Sequence, residues 1–458
     1  MQRVLLWIRC ICSNRRINER KRVSVIYMSN SRKTIVNSRT GDSYVHVSHK
    51  SGLNVLIWKM DGYTTTEALF GTRYGSVNTR FKTKDDQDYC EVPEGIAHFL
   101  EHKLFENEDC PVFDLYAKTG ASANAYTSFD QTVYLFSCSE NYEQSLRILL
   151  SFVQKPFFTQ ETIDKEQGII GQEISMGEDS PERRSFFNLL KCLYVNNPVK
   201  IDIAGTVESI AEITPELLYK CYNSFYNLHN MTLAIAGNLD VDEVLKICDE
   251  ELKPCDDVEL ENFFPDEPDE VAQRECIETA SVGASIFNIG FKAKAFKGKE
   301  LLKKEIEASI VLQLIAGPTS QLYKELTDEG IINSTFSSEV FNGNGFFCCI
   351  IGGESHEPRK VYDRLLKEIE KIKQSGFDKE QFTIIKKSKY GSLIRDFNNV
   401  SSCAELMINS DFEGLGAFDS VETLAAVTIE DITKTLMELF VVDKSAISVI
   451  EPINDERE

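Results

Sequence analysis

The sequence is poor in the features of nucleic-acid-binding and membrane-spanning proteins. It has 50 lysine and arginine residues against 72 aspartate and glutamate residues, a formal net charge of −22. Nucleic-acid binding needs a basic face for phosphates, so this balance argues against it and disfavours docking on anionic membranes. No stretch approaches the roughly 20 apolar residues that span a bilayer. We therefore predict a cytoplasmic protein without a membrane span.

Paired cysteine spacing is also missing. The 13 cysteines are an odd number, and they are scattered without the paired spacing of a zinc ribbon. Reduced, mostly buried cysteines of a cytosolic protein are therefore expected. Histidine is scarce too, with six in 458 residues, so two histidines in one short motif stand out.

The chain is long enough for two domains, because 458 residues exceed what one hydrophobic core holds. We expect residues 1–41, which are basic, to be a disordered or non-native extension, with Met28 as an alternative start to Met1. Residues 42–252 and 276–458 each have an ordinary domain size. Residues 253–275 are acidic and contain prolines, which predicts a solvated linker.

The mixture of helices and strands without strict alternation favours the α+β class. The patterns predict helices at 94–105, 112–119, 142–154, 160–176 and 215–226, and strands at 44–47, 54–58, 65–74 and 231–236.

The two halves also look related. Residues 124–128 lead through a turn to an apolar run at 133–138 and then to a helix. Residues 333–337 lead likewise to an apolar run at 346–351 and a helix. This repetition predicts two homologous mixed α/β sandwich domains that face each other around a central cavity.

The strongest chemical signal is the run from His98 to His102, an HxxEH motif. On a helix the two histidines lie one turn apart on one face, so both rings can reach one ion. Glu101 falls at the edge of that face, within reach of a water. The alternative, a surface helix with scattered polar residues, fits poorly because this helix is apolar nearly all round and buried polar groups need partners.

A third zinc ligand has to come from elsewhere, since a catalytic zinc takes three protein ligands and a water. Glu166 and Glu173 lie two turns apart on the predicted helix 160–176, within a stripe of four isoleucines. Burying a carboxylate is costly without a compensating cation or donor. Zinc would compensate one glutamate, and the other would orient a ligand. The alternative is a helix rotated outward at that edge.

The run from Gly95 to Phe105 resembles the active-site helix of the pitrilysin and insulinase family, and HxxEH is the inverzincin signature. Residues 166–173 resemble the family's downstream glutamate pair, and residues 120–127 resemble its strand beside the site. Within the family the chain resembles the processing-peptidase-like branch of small two-domain, bacterial-type subunits.

This resemblance implies a zinc-dependent endopeptidase with one Zn²⁺ per chain. Its ligands would be His98, His102 and Glu173, with Glu101 as the catalytic base that activates the zinc-bound water and Glu166 as a supporting catalytic residue. The C-terminal domain would be non-catalytic. Substrate peptides or unfolded segments would lie along a strand containing four substrate-binding residues, Ala123, Asn124, Ala125 and Tyr126.

The chain departs from the family pattern at two positions, and this departure bears on the partners that we expect for the chain. Family members that act alone carry an arginine and a tyrosine in the second domain, and Thr327 and Asn333 stand at those positions. We therefore expect a homo- or heterodimer, in which this chain bears the metal and a related subunit supplies the arginine and tyrosine. The alternatives are a non-catalytic peptide-binding or scaffold subunit and a metal-stabilised regulatory protein.

Overall fold

The computed structural model describes residues 31–108 and 110–453. The strands are β1 (Ser31–Val36), β2 (Ser43–Ser48), β3 (Asn54–Lys59), β4 (Thr66–Thr72), β5 (Arg80–Lys82), β6 (Cys90–Glu91), β7 (Ser122–Thr127), β8 (Thr132–Cys138), β9 (Met231–Gly237), β10 (Glu261–Asn262), β11 (Glu275–Ala280), β12 (Ser285–Ala293), β13 (Ser337–Gly343), β14 (Phe346–Ser355) and β15 (Ser445–Pro452).

The helices are α1 (Ile96–Leu104), α2 (Val112–Thr119), α3 (Tyr142–Val153), α4 (Gln160–Glu178), α5 (Pro181–Leu193), α6 (Val207–Ile210), α7 (Pro215–Phe225), α8 (Val241–Glu251), α9 (Gly298–Ala316), α10 (Gln321–Asp328), α11 (Pro358–Ser375), α12 (Lys379–Asp396), α13 (Val400–Phe412), α14 (Asp419–Ala426) and α15 (Ile429–Leu439). Short 3₁₀ turns occur at Pro198–Lys200, Leu228–Asn230 and Val442–Lys444.

Two mixed sheets with matching topology organise the chain. The first has the order β1-β2-β3-β9-β4-β8-β7, and the second has the order β11-β15-β12-β14-β13. In each sheet one parallel pair, β3 with β9 or β11 with β15, is followed by three antiparallel pairs. The predicted fold class, two related α+β units, is therefore confirmed.

The register predicted for the repeat is wrong, although the repeat itself is real. The counterpart of β7 is β13, because each is the edge strand joined by a tight turn to the next strand. Asn333 and its neighbours precede β13. Residues 124–128 and 333–337 have similar polar compositions but different places in the two sheets, because the position of a strand is set by its pairing and not by its composition.

The prediction that order begins near residue 42 is wrong for residues 31–36. These form β1, which pairs antiparallel with β2 along its whole length and extends the first sheet. Its side chains are largely exposed, so the strand has none of the apolar alternation on which the prediction depended. Residues 1–30 lie outside the described part of the chain.

The acidic linker is fastened to the fold instead of being fully solvated. Its residues 261–262 form β10, which pairs with β5 in a small third sheet. The Glu267 carboxylate accepts hydrogen bonds from the backbone N–H groups of Val195, Asn196 and Asn197 at 2.7–2.8 Å. It also pairs with Lys292 at 2.5 Å. Proline and charge predicted an irregular segment correctly but could not reveal these partners.

Each half contributes one helix to the sheet of the other half. Helix α5 packs on β12 and β15 of the second sheet, and α13 packs on β4 and β9 of the first sheet. The cluster beneath α13 joins Trp58 and Leu69 to Cys403 and Met407. The halves therefore interlock, and this fixes the position of both sheets relative to the candidate site.

Eleven cysteines lie within the described residues, and each is a free thiol; seven of them are buried. No helix in residues 31–108 and 110–453 is long and apolar enough to cross a membrane.

Candidate metal centre

Helix α1 carries the HxxEH motif and starts at a position that requires glycine. Gly95, just before the helix, has a φ of 84°. A Cβ there would lie 2.3 Å from the carbonyl oxygen of Ala204. The helix can therefore approach this segment closely, and eight of its nine residues are buried. The surface-helix alternative does not apply.

The two histidines of α1 lie on one face, as their spacing predicts. The ring centroids of His98 and His102 are 4.6 Å apart. His98 is buried, and the side chain of His102 is 26% exposed. Both rings direct Nε2 toward α4.

Glu173 of α4 completes the cluster. Its Oε1 lies 3.5 Å from His98 Nε2, and its Oε2 lies 3.7 Å from His102 Nε2. One donor atom from each of the three residues falls within 4.8 Å of the others. Within the described residues this is the single group of histidine, cysteine, aspartate and glutamate side chains with such spacing.

These three residues fit a zinc ion. Two imidazoles and a carboxylate are the protein ligands of one established type of catalytic zinc site. The hydrogen bond that His102 Nδ1 makes to Glu166 Oε1, at 3.0 Å, leaves Nε2 free to bind a metal, which is the usual arrangement around metal-bound histidine. Buried His98 Nδ1 has no hydrogen-bond partner among the described residues.

Glu101 lies beside this cluster in a site suited to proton transfer. It is 8% exposed, and the Thr127 hydroxyl on β7 donates a 2.8 Å hydrogen bond to its Oε2. Burial raises the pKa of Glu101, while Thr127 and the nearby His102 oppose the rise. A carboxylate with a raised pKa is a better base near neutral pH.

Burial and neighbouring charges shift the pKa values of His98, His102 and Glu166 in different directions. Burial, with a smaller contribution from the nearby His102, lowers the pKa of His98 to about 4. Burial opposes protonation of His102 too, but the hydrogen bond with Glu166 and the surrounding carboxylates outweigh it and raise its pKa. For Glu166, burial favours the neutral acid, but the same hydrogen bond prevails and lowers its pKa.

Glu166 is buried, as predicted, but the prediction that Glu173 is buried is wrong. Glu166 is 5% exposed, whereas the Glu173 side chain is 49% exposed. Ile169, four residues before Glu173, is 46% exposed. The helix therefore turns outward at this edge, and the geometry of Glu173, not its burial, makes it a candidate ligand.

The four residues proposed from the resemblance to contact substrate lie on β7, the edge strand of the first sheet. Ala123 and Ala125 pack toward the core beneath α1. Tyr126 points to the opposite face, toward α13, and Asn124 is exposed. Pairing with β8 occupies one side of β7, and no other described strand pairs with its second side.

Thr327 and Asn333 lie in the second half. Thr327 is in α10, beside a cavity of about 400 Å³ on that helix. Asn333 is exposed, and its amide donates to Glu354 Oε2 at 2.6 Å. Among the described residues neither has a hydrogen bond or ion pair to the metal-centre side chains.

A cavity of about 990 Å³ opens next to Glu173. Its walls include Ile174 and Met176 of α4 and Phe187 of α5. Arg183 of α5 is held there by two hydrogen bonds of 2.5 and 2.7 Å to Asp202. This volume lies within the range of ordinary ligand sites.

Two residues with a part in the site were not singled out from the sequence. Thr127 fixes Glu101, and Lys103 is a fully buried lysine whose Nζ contacts Glu106 and donates to the Thr162 carbonyl at 3.2 Å. The sequence offered a sign of this lysine, because apart from it and the HxxEH residues the helix α1 is apolar. Thr127 ends the segment 120–127 that resembles the family's strand beside the site, but its hydrogen bond to Glu101 depends on the approach of distant segments, which no local pattern indicates.

The inverted order of the motif, with glutamate directly before the second histidine, defines the inverzincin class of zinc peptidases. Residues 90–207 match the family model "Insulinase (Peptidase family M16)". Residues 212–389 match "Peptidase M16 inactive domain". The two matches follow one another along the chain, as expected for a duplicated unit with one metal-bearing half.

Complete proteins show the same relationship. The uncharacterized zinc protease YmfH of Bacillus subtilis (strain 168) is 38% identical over 419 residues, which cover 90% of this chain and 97% of that protein. The structure of an M16-like peptidase from Alicyclobacillus acidocaldarius has a TM-score of 0.85 and 32% identity, and covers 94% of this chain and 100% of that one.

A protease from Helicobacter pylori shares the fold, with a TM-score of 0.76 and 20% identity over 92% of this chain and 99% of that one. Because YmfH is more than 30% identical over nearly its whole length, the chain belongs to peptidase family M16, the insulinase family.

Proposed function

We propose that this chain is a zinc-dependent endopeptidase that hydrolyses peptides or unfolded segments. The observation that carries this proposal is the meeting of His98, His102 and Glu173 within 4.8 Å beside a buried Glu101. In this proposal the first three residues hold one Zn²⁺ per chain, and Glu166 keeps His102 in the orientation that binds metal.

The chemistry divides between the metal and the chain. Bound zinc would polarise the scissile carbonyl and lower the pKa of a coordinated water. Glu101 removes a proton from the attacking water and delivers it to the leaving amine, so that its carboxylate is regenerated. Thr127 holds that carboxylate at a fixed position between α1 and β7.

The open edge of β7 supports this proposed substrate class. An extended peptide can pair its backbone with this edge as an added strand, which binds many sequences because backbone groups are common to all peptides. Folded proteins lack free extended segments, so unfolded chains and peptides are the expected substrates. The cavity beside Glu173 provides room for residues on one side of the scissile bond.

Substituting the proposed base tests this function. Glu101→Gln should retain zinc but lower the hydrolysis of labelled casein, an unfolded protein, by about 10²- to 10⁴-fold. Glu161→Gln, an exposed position in the first turn of α4, is the matched control and should be unaffected. Hydrolysis that survives Glu101→Gln would contradict the proposal.

We also propose that this chain is the metal-bearing subunit of a dimer. Thr327 and Asn333 leave it without the arginine and tyrosine that the family resemblance leads one to expect, so a related subunit would supply them. The double variant Thr327→Arg/Asn333→Tyr should increase the kcat of the purified chain. A wild-type chain that is fully active alone, and gains nothing from the double variant, would remove this idea.

A non-catalytic, peptide-binding subunit is the second candidate, and Thr327 and Asn333 favour it. It predicts peptide binding with equal affinity in wild type and Glu101→Gln, and no hydrolysis by either. Measuring binding and hydrolysis of the same labelled casein separates the two functions. A cytoplasmic location remains a prediction from composition for both.

A further inference from the structure

The side chain of Tyr126 links the edge strand β7 to the C-terminal half of the chain. Its hydroxyl lies 3.1 Å from Oε2 and 3.3 Å from Oε1 of Glu405, to which it donates a hydrogen bond. Glu405 belongs to α13, the helix that the second half contributes to the first sheet. A residue 279 positions away therefore contacts the strand beside the metal centre.

This link is supported within the structure. Asn409, one turn after Glu405 on α13, contacts Glu405 Oε2 at 3.4 Å and accepts from Gln131 beyond the end of β7 at 3.1 Å. Tyr126 is packed in the cluster beneath α13. The Glu405 carboxylate therefore has a fixed position from which to hold the tyrosine.

Thr127, the residue after Tyr126, makes a contact on the opposite face of β7. Successive side chains of a strand point to opposite faces, and Thr127 accordingly donates to Glu101 on α1 while Tyr126 donates to Glu405 on α13. One dipeptide thus joins the catalytic helix, the edge strand and the C-terminal half. A strand displaced by about 1 Å would misplace a bound substrate relative to Glu101.

We propose that Glu405 is a positioning residue, which acts through Tyr126 to hold β7 in the place where it binds substrate. This inference rests on the proposed pairing of substrate with β7. It assigns part of substrate binding to the half of the chain that carries no metal ligand. As an edge strand, β7 pairs with β8 on one side alone, so the Tyr126–Glu405 contact adds a second constraint on its position.

The test compares hydrogen-bond-deleting and hydrogen-bond-keeping variants. Tyr126→Phe and Glu405→Ala should each raise the KM for labelled casein about three- to tenfold, the effect of losing one ordinary hydrogen bond. The kcat and the zinc content should stay near the wild-type values. Glu405→Gln keeps an acceptor oxygen and should restore most of the wild-type KM.

A double-mutant cycle and a control on the same helix distinguish positioning from general damage. The double variant Tyr126→Phe/Glu405→Ala should have a KM no higher than that of the worse single variant. Each single variant already removes the same hydrogen bond, so the second substitution removes nothing more. Ser401→Ala is the control, since Ser401 lies one turn before Glu405 and donates to Glu67 on β4 at 2.5 Å. It removes a bond from α13 to a different strand and should leave KM unchanged.

The binding of labelled casein to the Glu101→Gln protein provides a readout that does not depend on turnover. Tyr126→Phe in that background should raise the Kd by the same factor as the KM. An unchanged KM and Kd in Tyr126→Phe, or an equal rise in Ser401→Ala, would overturn the inference while leaving the proposed peptidase intact. Absence of both hydrolysis and binding in every variant would overturn the proposed function and this inference with it.

Discussion

Lys103 is a charged side chain with none of its surface exposed, directly after the candidate ligand His102. Its ammonium group pairs with Glu106 and donates to the Thr162 carbonyl just after the start of α4. A buried charge of this kind is tolerated when donors and acceptors match. The lysine therefore ties the end of α1 to the helix that carries Glu166 and Glu173.

Removing this charge should destabilise the protein. Lys103→Met fills a similar volume but leaves the Thr162 carbonyl and the Glu106 carboxylate without their partner, at a cost of about 2 kcal/mol. Urea unfolding measures the difference. Glu106→Gln should cost less, because the Glu106 side chain is 29% exposed and water can replace part of its pairing. Equal stability of Lys103→Met and wild type would contradict this role.

Glu166 should control the affinity of His102 for metal. Glu166→Ala removes the acceptor on Nδ1, so the imidazole is no longer held with Nε2 toward Glu173. Losing such a partner typically weakens metal binding by about 10- to 100-fold. Chelator competition with zinc measures the affinity, with Glu161→Gln as the unaffected control. A zinc affinity equal to wild type would assign Glu166 to structure alone.

At the scale of elements, the loop before β6 is fastened to α7 by one ion pair. Both oxygens of Asp86 contact Lys220 Nζ at 2.6 and 2.7 Å, and the carboxylate also accepts from Thr83. The bond to Lys220 is the main cause that lowers the pKa of Asp86 to about 2. The ionised carboxylate therefore stabilises the folded state.

This pair should give a defined pH dependence. Because the folded-state pKa is below the ordinary value of 3.8, its stabilisation is complete above about pH 4 and is lost as the pH falls toward 2. After allowance for solvent screening, Asp86→Asn should lower the free energy of unfolding by about 1 kcal/mol at pH 7. The difference from wild type should vanish near pH 2. A difference that is the same at both pH values would contradict this assignment.

At the scale of the whole molecule, the exchange of α5 and α13 should make the two halves unfold together. Trp58 reports on this contact, because it packs against Phe397 and Phe418 of the second half at centroid distances of 5.3 and 5.1 Å. In a Trp7→Phe background it is the sole tryptophan. Its fluorescence and the far-ultraviolet circular dichroism should change at the same urea concentration.

Separate transitions would mean that the halves are independent. In that case the tryptophan signal would change first, since the contact between halves would be lost before the sheets melt. Met407→Ala, on the α13 face that packs against the first sheet, should lower both midpoints together.

The sequence predicted those features that local pattern determines. Helix α2 was predicted at its observed bounds, and the predictions for α1, α3 and α7 were longer than the observed helices by one to three residues. His98, His102 and Glu173 were predicted to approach one ion, and the structure brings them together. The alignment of the two histidines depends on helical periodicity within one turn, whereas Glu173 on a distant helix was assigned from the resemblance to the family.

Features that depend on distant partners were not predictable in this way. Strand β1 is largely exposed and begins with four polar residues, and it forms because β2 offers it an edge for pairing. The amphipathic pattern of α5 reveals an apolar face but not that this face covers the second sheet. The contact between Tyr126 and Glu405 likewise follows from the crossing of α13, for which the sequence has no local sign.

We propose above all that His98, His102 and Glu173 form one zinc site. The most direct measurement is the zinc content of the purified chain after loading and desalting, beside Glu173→Gln and Glu161→Gln treated identically. We predict about one zinc per chain in wild type and Glu161→Gln, and little or none in Glu173→Gln. A wild-type chain that cannot be loaded, or a Glu173→Gln variant that retains its zinc, would contradict the site.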